Sequence, residues 1–205
     1  DAHYNLALTH QELNHLDEAV KNYKETLAID MSYAKAYNNL GIIYKELGQM
    51  DEAIKSYEHV IIIQPDNAVA HHNLGNLMTE LGELDNAIKS YKNALIIQPD
   101  YFEVHNNLGS ILNELGQNDE AIKCYELALT INPNFADAHN NLGIVLQSID
   151  QFDEAANCYK KAIAINPEHS EALSNLGNIL KECGQFDEAI DFYKRALIVN
   201  PKFDN

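Results

Sequence analysis

The chain has 205 residues and carries 14 Lys and Arg against 31 Asp and Glu, a formal charge of −17. That balance repels phosphate backbones and anionic lipid, which excludes nucleic acid and membrane surfaces as partners. The longest unbroken run of Val, Ile and Leu is Val60 to Ile63, far short of the roughly 20 apolar residues of a membrane span.

Slid against itself, the chain matches without gaps at a shift of 34: YNNLGIIYKELGQMDEAIKSYEHVIIIQPDN at 37–67 becomes HHNLGNLMTELGELDNAIKSYKNALIIQPDY at 71–101. Six copies fill it, 1–33, 34–67, 68–101, 102–135, 136–169 and 170–203, as one array. Each copy is numbered from 1 to 34, with position 1 at Ala34, Ala68, Phe102, Ala136 and Ser170; the first copy begins at position 2 with Asp1.

The first copy is the most diverged, with Ala7 where the others have Gly, His10 where they have Tyr, Met or Leu, Thr26 where they have Ala or Val, and Met31 where they have Pro. In the second, Tyr37, Leu40, Gly41 and Tyr44 form an i, i+3, i+4, i+7 stripe, which predicts an amphipathic helix A. Gly48 is placed to end that helix in the left-handed conformation, as are Gly82, Gly116 and Gly184 in the third, fourth and sixth copies. Asn14 and Asp150 take the same place in the first and fifth, and these types tolerate that conformation best after glycine. A second stripe, Ala121, Tyr125 and Ala128 in the fourth copy, predicts a helix B. Its first turn carries an acid in every copy (Asp17, Asp51, Asp85, Asp119, Asp153, Asp187), where the helix dipole favours negative charge. Lys21, Lys55, Lys89 and Lys123 follow four residues later and predict i,i+4 ion pairs. Pro65, Pro99, Pro133, Pro167 and Pro201 then close their units. Small residues at positions 8 and 20, such as Gly109 and Ala121, let A and B approach closely, so each unit is a helical hairpin.

This pattern resembles the tetratricopeptide repeat (TPR) over essentially the whole chain. The resemblance implies an all-α solenoid of six tandem hairpins, a right-handed superhelix with its A helices on the concave side. It also implies a protein-protein interaction scaffold and no catalysis. Hairpins of this kind bury their faces only against neighbours, without a central globular core.

On a helix turning about 100° per residue, position 6 faces away from the packing stripe. It is Asn5, Asn39, Asn73, Asn107, Asn141 and Asn175, whereas position 2 drifts through Asp1, Lys35, Val69, Glu103, Asp137 and Glu171. Asparagine is a mediocre helix former, so propensity does not explain its persistence. One reading is a ladder of amides, each able to pair with the C=O and N–H of an extended peptide. Helices packed about 8–10 Å apart, against a strand rise of about 3.3 Å, would bring one amide to roughly every third peptide residue. The competing reading is that the amides bond to the neighbouring A helix and stiffen the array. Within the family the row resembles the superhelix of O-GlcNAc transferases, which implies a clamp on substrate backbone; one alternative is a recruiting arm of such an enzyme, its catalytic domain outside these residues, and another is a self-assembling structural solenoid with all its contacts at the ends.

Position 5 (Tyr4, Asn38, His72, Asn106, Asn140, Ser174) lacks the basic residues of carboxylate-clamp TPRs. Asn38, His72, Asn76, Asn106, Asn140 and Asn178 are the candidate groove neighbours, and Glu12, Glu46, Glu80, Glu114 and Glu182 form an acidic edge favouring neutral or basic peptides.

No cofactor, metal or catalytic grouping stands apart from the repeat. His3, His71, His105 and His139 all occupy position 4, a packing slot, and equivalent positions in adjacent units are too far apart to share a metal. Cys124, Cys158 and Cys183 are too few for a disulfide framework, and no Asn-x-Ser/Thr or leader segment occurs, which points to the cytoplasm. No polar capping helix follows the sixth copy, so a longer parent protein and end-to-end self-association through Leu176, Leu180, Ala189 and Tyr193 are expected.

Overall fold

The computed structural model describes residues 2–201; the outer limits of the first and last copies, at 1 and at 202–203, lie outside the described residues. The chain forms two compact units, Asp1–Pro99 and Asp100–Asn205. The first holds α1 (Ala2–Glu12), α2 (Leu16–Ile29), α3 (Ala34–Glu46), α4 (Met50–Ile63), α5 (Ala68–Glu80) and α6 (Leu84–Ile97). The second holds α7 (Phe102–Glu114), α8 (Asn118–Ile131), α9 (Ala136–Ser148), α10 (Phe152–Ile165), α11 (Ser170–Glu182) and α12 (Phe186–Val199). Odd-numbered helices are A and even-numbered helices are B. The chain is all-α, built of helical hairpins.

Each A helix ends in the same tight turn. Gly48 has φ 71°, Gln49 donates its N–H to the Tyr44 carbonyl at 2.8 Å, and Gly48 donates to that of Lys45 at 3.0 Å. These two bonds satisfy carbonyls that a helix end leaves orphaned. Asn14 and Asp150 make the turn at φ 59° and 64°, and their neighbours His15 and Gln151 donate to His10 and Leu146 in the same pattern. Helix B stops one residue before the closing proline. Gln64, ahead of Pro65, has φ −132° and ψ 82°, as expected for a residue whose helical conformation would clash with the proline ring.

The core runs along the seam between paired helices. Ala19, Ala53, Ala87, Ala121 and Ala155 at position 20 are fully buried, so the two backbones approach closely. Position 8 sets the other half of the fit: a Cβ on Gly109 would lie 2.8 Å from Cε1 of Tyr125, inside van der Waals contact. Tyr23, Tyr57, Tyr91, Tyr125 and Tyr159, each at most 2% exposed, lie across this seam. A buried ring of that size contributes on the order of 2 kcal/mol through removed apolar surface.

Two expectations change. Lys55 pairs at 3.9 Å with Glu52, three residues before it, rather than with Asp51; both partners are largely exposed, and such pairs contribute little. Leu176, Leu180 and Ala189, expected at an end contact, are buried and Tyr193 is half-buried; the exposed large apolar side chains of α12 are Phe186, Ile190, Leu197, Ile198 and Val199. The sequence stripe marks the side on which α11 and α12 meet each other.

Candidate functional site

The position-6 asparagines lie on the helix-A face, and in three repeats they are laterally fixed. Asn73 donates an Nδ2 proton to Oδ1 of Asn38 at 3.2 Å; Asn141 does the same to Asn106 and Asn175 to Asn140, each at 3.1 Å. The acceptor is always position 5 of the preceding repeat. Asn73, Asn141 and Asn175 are half-buried, and each retains a carbonyl oxygen and a second N–H that no other described group engages. Asn39 differs, because it donates to the hydroxyls of Tyr23 at 2.9 Å and Tyr4 at 3.4 Å, leaving its carbonyl. Asn107 accepts from Asn106 at 3.4 Å, and Asn5 is exposed. The lateral bonds are those of the second sequence reading, in which the amides bond to the neighbouring A helix.

The groove neighbours divide. Asn106 is 7% exposed and Asn140 is 1% exposed, so these two are buried bridges rather than groove lining. Asn140 accepts from Asn175 and donates to Glu171 at 3.4 Å. A helical wheel puts position 5 at the border between faces, and the following A helix covers it. Asn38 and His72 are half-buried. Asn76 accepts from the Tyr91 hydroxyl at 2.7 Å and Asn178 from that of Tyr193 at 2.8 Å, so both are tied to their own helix B. A polar recess of about 210 Å3 in the first unit is lined by Tyr4, Lys35, Asn38, Asn39 and Asn67 among others.

The position-24 tyrosines belong to this face and were not singled out from sequence as polar groups. Their rings fill the seam while their hydroxyls emerge beside helix A. Where position 9 is polar the hydroxyl bonds there, Tyr91 to Asn76, Tyr125 to Ser110 and Tyr193 to Asn178. Where position 9 is Leu8 or Ile144, it bonds to position 12 instead, Tyr23 to Gln11 at 2.8 Å and Tyr159 to Gln147 at 2.9 Å. The correlation of positions 9 and 12 was present in the sequence and is interpretable once the hydroxyl is placed. Burial, opposed by the bond from Asn39, pushes the Tyr23 hydroxyl up to about 12.

His71, His105 and His139 at position 4 are packed into the fold, whereas His3, expected in the same packing slot, is exposed, because the first hairpin has no preceding unit to cover it. His71 is 8% exposed and His139 is 8% exposed; His139 Nε2 lies 3.0 Å from the Pro133 carbonyl, and His71 bonds to that of Pro65. His72, next in sequence to His71, faces the other way and accepts from Asn76 Nδ2 through Nε2 at 3.1 Å. Among the described residues no group of three or more His, Cys, Asp or Glu is placed to hold a metal, and no helix is long and apolar enough to cross a membrane.

Hairpins of this size, with a recurrent Gly-to-Tyr seam and a polar helix-A face, define a helical-repeat interaction scaffold. Family models described as TPR repeat match residues 11–48, 75–113 and 109–150, and models described as tetratricopeptide repeat match 34–67, 136–169 and 170–203, with a further one at 56–89. The chain belongs to the tetratricopeptide repeat family. No curated protein sequence gives a significant match. Among solved structures, MamA is 29% identical with a TM-score of 0.70, over 80% of this chain and 95% of MamA. The pilF protein of Pseudomonas aeruginosa is 19% identical with a TM-score of 0.85, over 98% of this chain and 92% of its own. YrrB, described as a TPR protein with an unusual peptide-binding site, is 19% identical with a TM-score of 0.69, over 88% and 93%. The likeness to the last two is one of fold.

Proposed function

We propose that the helix-A face of each unit binds an extended segment of a partner protein by its backbone, with Asn39, Asn73, Asn107, Asn141 and Asn175 as clamps and Asn5 extending the row. The observation that carries the reading is the state of Asn73, Asn141 and Asn175. One N–H of each is spent on the preceding repeat, which fixes the amide's orientation, while a donor and an acceptor remain. A donor and an acceptor on one planar group are what a peptide unit requires. Fixing them beforehand lowers the ordering cost of binding. The exposed glutamates Glu12, Glu46, Glu80, Glu114 and Glu182 bias the face toward neutral or basic segments.

The test compares wild type with the triple variant Asn73→Ala, Asn107→Ala, Asn141→Ala on a peptide array, followed by calorimetry on the best binders. Circular dichroism and a melting curve establish that the fold persists. Affinity that collapses in a folded variant supports the clamp. Unchanged affinity assigns the asparagines to the scaffold alone.

A further inference from the structure

The second repeat breaks the hydroxyl pattern. Its position 9 is Ile42 and its position 12 is Lys45, so Tyr57 has no acceptor at either place. Tyr57 is 2% exposed and its hydroxyl makes no hydrogen bond among the described residues, whereas the other five position-24 tyrosines each have one to Gln11, Asn76, Ser110, Gln147 or Asn178. The ring is held against α3: a Cβ on Gly41 would lie 2.6 Å from Tyr57 Cε1. In the other repeats this hydroxyl reaches position 9 or 12, the places held here by Ile42 and Lys45; burial first, then the carboxylates of Glu80 and Glu46, push it up to about 12. Glu46 and Glu80 are the last residues of α3 and α5, and Lys45 makes an ion pair with Glu80. Two carboxylates and one ammonium leave one negative charge uncompensated. The Tyr57 hydroxyl oxygen reaches solvent, so without an internal partner it is open to an incoming donor beside that charge.

We infer that Tyr57, Glu46 and Glu80 form a subsite for one cationic side chain of the bound segment, an arginine for preference. The inference rests on the proposed peptide-binding reading and names the class of segment. A guanidinium presents several donors in one plane, enough to meet the phenol oxygen and a carboxylate together, and it sheds water more readily than an ammonium. Lys45 already occupies part of Glu80, so the incoming cation is directed toward Glu46 and the phenol. The remaining tyrosine hydroxyls, satisfied internally, offer no equivalent.

The probes are two dye-labelled twelve-residue alanine-serine peptides, one with a single central arginine and the other with citrulline, its uncharged isostere. At low salt the arginine peptide binds about five- to twentyfold tighter, the range for a few partly exposed charge-assisted contacts. The Glu46→Gln, Glu80→Gln variant removes that advantage and leaves citrulline binding unchanged; Tyr57→Phe reduces it while unfolding at the wild-type denaturant concentration, because no internal bond is lost. The Asn73→Ala, Asn107→Ala, Asn141→Ala variant weakens both peptides. Equal affinity for the two peptides, still dependent on the ladder, overturns the subsite and spares the backbone reading. If neither peptide binds, the backbone reading fails and N-acetyl-arginine-amide decides the subsite alone. A saturable shift of the Tyr57 ring resonances in wild type, absent in Glu46→Gln, Glu80→Gln, supports it, and no shift overturns it.

Discussion

Adding one methyl group at Gly109 tests the seam on which the helix-A face is mounted. In the Gly109→Ala variant the new Cβ meets Tyr125 at 2.8 Å from Cε1, 3.0 Å from Cζ and 3.1 Å from Cδ1. All three atoms belong to one rigid ring that is 1% exposed, so relief requires the ring and its hydroxyl to move by about half an ångström or more. Two effects oppose each other. Alanine is favoured over glycine in a helix interior by about 1 kcal/mol. Overpacking a fitted core costs typically about 1–3 kcal/mol. The first repeat carries Ala7 opposite Tyr23 and keeps that ring fully buried, which shows that the seam can adjust and places the cost in the middle of the range. The net expectation is a loss of about 1 kcal/mol. Urea unfolding followed by circular dichroism reads it as a lower midpoint with an unchanged slope. Combining Gly109→Ala with Tyr125→Leu supplies the control, since the second change removes the obstruction and the pair should couple favourably in a double-mutant cycle. A variant as stable as wild type, or one showing no coupling, would refute the claim that this glycine is held by steric fit to the ring.

Tyr159→Phe should cost about 1 kcal/mol in the same assay, because it deletes the bond to Gln147. Burial, opposed by the bonds to the Pro65 and Pro133 carbonyls, lowers the affinity of His71 and His139 for a proton; His72 is lowered by burial. The unfolded imidazoles take up protons near pH 6.5 and the folded ones only below it, so stability is lost as pH falls below about 6.5. His139→Leu, which copies the fully buried Leu173 of the sixth repeat, should flatten that slope in melts recorded between pH 7.5 and 5. Asp150 sits at φ 64°, so Asp150→Gly should raise the unfolding midpoint by the equivalent of about 0.5–1 kcal/mol, and a lower midpoint would contradict the turn assignment.

Most of the fold was legible because its determinants are local. The left-handed turn at Asn14 and Asp150 follows from residue type and spacing, and the proline stop follows from ring geometry. The face of the asparagines was legible from the helical period, but their hydrogen bonds were not. Whether Asn106 lies in a groove or beneath a neighbour depends on how far α9 overlaps α7, and a one-helix wheel contains no such information. The tyrosines were read as packing because a ring dominates the burial pattern, while the fate of a single hydroxyl depends on side chains twelve or fifteen residues away. Tyr57 shows the converse: its missing acceptor was written at Ile42 and Lys45, and became meaningful only with the hydroxyl's position.

The alternation of acceptors under the tyrosine hydroxyl also bears on how such a chain can diverge. A duplicated unit may exchange asparagine at position 9 for an aliphatic residue without stranding the phenol, provided glutamine already stands at position 12, as in the repeats holding Ile144 and Gln147. Two sites that look independently variable are thus one conditional choice, and the order of substitution matters: the new acceptor has to arrive before the old one leaves. The second repeat has left both states: with Ile42 and Lys45 at the two places, its phenol keeps no internal acceptor.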